Sequence, residues 1–162
     1  MSNLSTSADH HSEKFVESTA RQIWLSALAK ASPATLLPLW EALDAPDAVT
    51  LRPPEVGMVM VRGRTGGSGD AFNLGEMTVT RCAVRLASGE TGIGYVSGRD
   101  KRHAHAAAVI DAMMQSPAHR DRAERLVIAP LQTAARAQTE AVNRKAKATQ
   151  VEFFTMVRDR KA

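Results

Sequence analysis

The segment EMTVTRCAVRLASGETGIGYVS, Glu76 to Ser97, alternates in polarity on both sides of a short turn, and few folds accommodate that pattern. Thr78, Thr80, Cys82, Val84 and Leu86 share one side of an extended chain, while Met77, Val79, Arg81, Ala83 and Arg85 share the other. Ser88-Gly89-Glu90 supplies a hairpin turn, and Thr91 to Ser97 returns as an antiparallel partner. Gly92 and Gly94 leave space beside Tyr95, which predicts a close backbone approach or a bulge. Upstream, Gly57 to Thr65 alternates as well, with Val59 and Val61 opposite Met58, Met60, Arg62 and Arg64. Gly66, Gly67 and Gly69 then enforce a turn or loop before the central strand. The fold class that follows is α+β, an antiparallel meander of three or more strands packed with helices.

The helices flank this sheet in sequence. Ala20, Ile23, Trp24, Ala27, Leu28 and Ala31 recur at helical spacing behind Ser18 and Thr19. Ser32-Pro33 reads as an N-cap and first helical position for a second helix whose apolar side holds Leu36, Leu37, Trp40 and Leu43, with Pro38 shortening or kinking it. Both Trp residues are expected to anchor the core. Val49 to Arg52 predicts a short separate strand stopped by Pro53-Pro54. Asp100 is placed to cap a helix from Lys101 to Gln115, ended by Pro117, whose Ala104, Ala107, Ala108 and Ala112 suit close packing on the sheet. Leu126 to Pro130 predicts a strand or buried extended piece, and Gln132 to Ala148 an exposed or partner-facing helix. Val151 to Arg158 alternates and includes Phe153 and Phe154, too apolar for a disordered tail, so it is expected to dock on the chain's own sheet or on another subunit.

Length and composition bound the rest. With 162 residues, 44% of them hydrophobic, the chain can bury one ordinary core. Residues 1–18 offer little to bury and are expected to form a disordered leader, leaving 19–162 as a single domain. No apolar signal core and no run of 18 apolar residues occur, and Cys82 stands alone, so a cytoplasmic chain in a reducing compartment is expected. Aromatic residues make up only 4%, which argues against a ring-stacking nucleic-acid platform. The basic excess lies in the C-terminal quarter, where His119 to Ala162 carries 10 Lys and Arg against 5 Asp and Glu. That bias keeps open a free-standing basic nucleic-acid-binding protein as the alternative function.

Catalytic motifs fail one by one. The glycine loop lacks the Lys-Ser/Thr of a Walker A sequence, Ser97 replaces the third glycine of a dinucleotide fingerprint, and Asp70 replaces the last glycine of a nucleophile elbow. His103 and His105, two apart on a helix, point in different directions, and His10-His11 lacks further ligands, so no metal site is expected. Cys82 reads as a small buried apolar residue. Arg81, Arg99 and Lys101 are the candidate anion-binding residues, with ion pairing to Asp70, Glu76 or Glu90 as the competing structural role.

The segments GGSGDAFNLGEMTVTRCAVRL, GYVSGRDKRHA, IDAMMQ, LVIAPL and VEFFTMVR, in this order from about Ala20 to Arg158, resemble the PhnG family, a subunit of the bacterial carbon-phosphorus lyase core complex for phosphonate metabolism. Two features depart from the family pattern: the leader before Ser18 is long, and Cys82 occupies a position usually held by a small residue such as Ala. The resemblance implies a cytoplasmic hetero-oligomer in which this chain, with PhnH, PhnI and PhnL, supports transfer of ribose 5-triphosphate from MgATP to methylphosphonate with release of adenine. It implies PhnI as the direct partner and PhnJ and PhnK as further subunits. It also implies no catalytic residues and no cofactor on this chain, MgATP being a substrate of the complex. Phe153 and Phe154 are then candidate interface residues.

Overall fold

The computed structural model describes residues 20–149. In chain order these form α1 (20–30), α2 (Pro33–Glu41), β1 (Ala48–Arg64), β2 (Ala71–Leu86), β3 (Thr91–Ser97), α3 (Lys101–Gln115), α4 (Arg120–Ala123) and α5 (Ala129–Ala148). A π-helical turn, Glu124–Ile128, joins α4 to α5. The strands make one antiparallel sheet in the order β1-β2-β3, the α+β meander expected from the alternation. The leader, Phe153 and Phe154 lie outside the described residues.

Local chemistry sets the element ends. Ser32 Oγ accepts from Thr35 N at 3.1 Å and caps α2, and Asp100 Oδ1 accepts from His103 N at 3.0 Å and caps α3. α3 is buried almost throughout its length and covers one face of β2 and β3. It can lie that close because Gly92 and Gly94 face it: a Cβ at either would stand 1.9 Å from the carbonyl oxygen of Ala108 or Ala104. Thr80, Cys82, Val84, Leu86 and Val96 close the sheet side of the core; Leu28, Leu36, Ile110, Met113, Val127 and Ile128 close the helical side. Burying each large apolar side chain contributes about 1.5–3 kcal/mol, whereas an exposed ion pair adds roughly 0–1 kcal/mol, so helical cover rather than surface charge holds the sheet.

Two sequence expectations are corrected. Val49 to Arg52 is not a separate strand, because β1 runs on through Pro53-Pro54 to Arg64. β1 is an edge strand, so only one of the two missing proline N–H groups is on the side of β2, and the register shift between Arg52 and Glu55, where three steps of β1 oppose two of β2, absorbs it. Leu126 to Pro130 is helical rather than extended. Pro130 offers no N–H to the Leu126 carbonyl, and the π turn immediately before it lets the helix continue past that gap.

β2 is longer than its partner β3. Beyond the Val79↔Ser97 pair and the bond from Gly98 N to the Thr78 carbonyl, β2 has, among the described residues, only β1 beside it, out to Arg64↔Ala71. The sheet therefore continues as a two-stranded ribbon, roughly 20 Å long, closed by a loop in which Gly66 takes φ +60°.

Candidate functional site

At the covered end of the sheet, Asp111 sits in the middle of α3 with no exposure to solvent. Its carboxylate accepts from Arg21 Nε at 3.2 Å and Nη2 at 2.8 Å, from Trp24 Nε1 at 2.8 Å, and from the Ile93 backbone N at 2.9 Å. Gln115 Nε2 adds a longer contact at 3.4 Å. One side chain thereby ties α1 to α3 and satisfies a backbone N–H on the outer edge of β3. Sequence reasoning missed it. The available signal was a lone acidic residue inside the apolar run AAAVIDAMM, where a carboxylate has to be buried and paired.

Beside Asp111, α1 and the β3 edge enclose a groove of about 980 Å³ whose walls include Arg21, Trp24, Tyr95, Gln115 and Arg120. The Arg120 guanidinium lies 5.7 Å from the centre of the Trp24 ring, a cation–π arrangement. At the mouth, the Ser88 hydroxyl donates to the Glu90 carboxylate and holds it below its ordinary value. The groove brings cations and rings together, and among the described residues that line it no nucleophile is hydrogen-bonded to a base.

A second buried polar group joins the same helices. His103 Nε2 stands 3.0 Å from the Leu28 carbonyl, one of the last in α1, so Nε2 is the donor. Nδ1 has no partner among the described residues. Cys82, buried against α3, donates from Sγ to the Arg52 carbonyl at 3.4 Å, and burial pushes its thiol up from its ordinary value. A raised folded-state value adds stability that is fully present below the ordinary thiol pKa and is lost as pH rises through the folded one.

The three anion candidates are divided. Arg81 alternates with the buried Thr80 and Cys82 and so lies on the sheet face away from α3, 3.5 Å from Glu55. Glu55, its register partner across β1, replaces the Asp70, Glu76 or Glu90 expected from sequence; it also holds Arg52 at 3.1 Å. Arg99 and Lys101 are exposed at the amino end of α3, where Lys101 borders a shallow recess of about 300 Å³ with Trp40, Pro54, Arg102 and His105. His105 meets Trp40 edge-on at 6.3 Å, while His103 is turned into the core, so the two histidines diverge as their spacing predicts. Among the described residues no group of three or more His, Cys, Asp or Glu is placed to hold a metal ion, and no helix is long and apolar enough to cross a membrane.

The ribbon presents a different surface. Val56, Met58 and Met60 point to one of its faces, and Phe72, Leu74 and Met77 to the other, all between 43% and 69% exposed. Phe72 lies over Gly63, with its Cζ 3.4 Å from the Cβ position that glycine leaves empty, and Leu74 Cβ is 3.7 Å from the same point. No charged side chain occurs from Val56 to Val61 or from Ala71 to Gly75.

Comparison with known proteins gives this arrangement a context. The family model described as phosphonate metabolism protein PhnG matches residues 19–159. A protein of Rhizobium meliloti (strain 1021), named alpha-D-ribose 1-methylphosphonate 5-triphosphate synthase subunit PhnG, is 49% identical over 142 residues, covering 85% of this chain and 88% of that protein.

Proposed function

The chain belongs to the PhnG family of phosphonate metabolism proteins, and from this premise we propose that it is a subunit of an alpha-D-ribose 1-methylphosphonate 5-triphosphate synthase. The observation that carries the reading is the 49% identity to a protein of that name across nearly the full length of both chains. At that coverage the likeness includes the sheet, the groove and the helical half together. The exposed apolar side chains of the ribbon support a chain that works within an assembly, since a monomer gains nothing by exposing them.

In this reading the complex moves ribose 5-triphosphate from MgATP to methylphosphonate and releases adenine. This chain contributes contacts rather than the nucleophile, with a PhnI-type subunit as its direct partner and PhnH-, PhnL-, PhnJ- and PhnK-type subunits in the larger assembly. Arg99 and Lys101 at the amino end of α3 are its cations best placed to meet a phosphate-bearing substrate held by a neighbour. Arg81, engaged with Glu55 on the opposite face, serves the sheet instead. Phe153 and Phe154 are retained as interface residues, and Phe153→Ala is expected to loosen assembly.

Co-expression with a PhnI-type partner tests the proposal, followed by size-exclusion chromatography and an assay of methylphosphonate-dependent adenine release from MgATP with and without this chain. Co-elution together with chain-dependent release is the expected result. A chain that elutes alone and leaves release unchanged contradicts it.

A further inference from the structure

We propose that the ribbon from Met58 to Thr78 is an insertion arm, seated in a mainly apolar cleft of a different subunit of the synthase. The inference rests on the function proposed above and adds to it the surface and the shape of the partner. Two-stranded ribbons are at best marginally stable in water, and among the described residues this one has no third strand beside it, while the large apolar side chains on both faces are exposed. Its exposed side chains are divided between the faces, Met58 and Met60 on one and Phe72, Leu74 and Met77 on the other. An occupant lying flat, such as the ribbon of a second copy, covers one face and leaves the other in water. A cleft covers both.

Size and charge point the same way. The 21 residues from Met58 to Thr78 match the roughly 20–30 residues that each side contributes to a stable interface, but only if both faces are buried. Charge lies at Arg62, Arg64 and Asp70 in the outer half and at Glu76, paired with Met60, nearer the root, so the cleft needs an apolar wall around the exposed Met, Leu and Phe side chains and polar groups where these four charges meet it. The free edge of β1 carries no charged residue between Val56 and Val61 to block pairing with a strand of the partner.

The test uses the synthase assembled by co-expression of its subunits, with the affinity tag on a subunit other than this one. We compare the natural chain, the double variant Met58→Asp/Leu74→Asp, and Ala87→Asp at the opposite end of the sheet. The natural chain and Ala87→Asp are expected in full yield, and the double variant at less than about a tenth of it, because each aspartate would be buried unpaired in the cleft. Recovery of the double variant in full yield overturns the arm. Should the double variant fail to fold alone, amide exchange of the natural chain decides: ribbon amides at least about tenfold slower in the complex than in the free chain support insertion, and unchanged rates within an intact complex overturn it. Failure of the natural chain to join the complex overturns the subunit reading and the arm with it. A concentration-dependent dimer of the free chain that the double variant abolishes assigns the ribbon to a second copy and overturns the cleft.

Discussion

The two halves of β2 share a strand but not a source of support. From Val79 to Leu86 it has strands on both sides, α3 across one face and Thr80, Cys82, Val84 and Leu86 in the core. From Ala71 to Met77 it has one neighbour among the described residues, and its large apolar side chains are exposed. The alternation in sequence is equally regular in both halves, so pairing alone does not decide what is buried. Cover decides, and among the described residues it is present over one half and absent over the other.

The sharpest way to break the comparison is to remove the cover. Gly94→Ala drives a methyl into the Ala104 carbonyl, and α3 has to lift from the sheet. We expect a loss of about 3 kcal/mol, read as a fall of about 6–12 °C in Tm. Asp111→Asn comes next. It keeps the shape but gives up the charged acceptor shared by Arg21, Trp24 and Ile93, and is expected to cost about 2–3 kcal/mol in urea unfolding with an unchanged m-value. Arg21 is one-third exposed and regains water, which keeps the loss below that of a fully buried pair. The smallest effect belongs to the ribbon: Met60→Ser, at a side chain 56% exposed, is expected to stay within about 0.5 kcal/mol of the natural chain. Equal costs for Gly94→Ala and Met60→Ser would erase the distinction between the halves.

Much of the covered half was legible in the sequence. The turn at Ser88-Gly89-Glu90, the cap at Asp100 and the close approach at Gly92 and Gly94 each rest on a local rule that tertiary structure does not override. What escaped notice depended on neighbours remote in sequence. Pro53-Pro54 ends a strand only if the N–H would have been paired, and β1 happens to lie at the edge. Leu126 to Ile128 reads equally well as strand or helix until Pro130 is seen to be accommodated by a π turn. Asp111 becomes meaningful once Arg21, some ninety residues earlier, is brought beside it. Of the anion candidates, Arg81 was separated from Arg99 and Lys101 by a sheet whose faces were readable, but whose partner for Arg81, Glu55, lay across the misread Pro53-Pro54 segment.

Residue-resolved amide exchange along β2 of the isolated chain tests the central claim most directly. The account predicts that amides from Val79 to Leu86 exchange at rates close to those of global unfolding, while those from Phe72 to Met77 exchange at least about a hundredfold faster. Protection as strong in the ribbon as in the covered half would contradict it, because the ribbon would then need no partner to hold it.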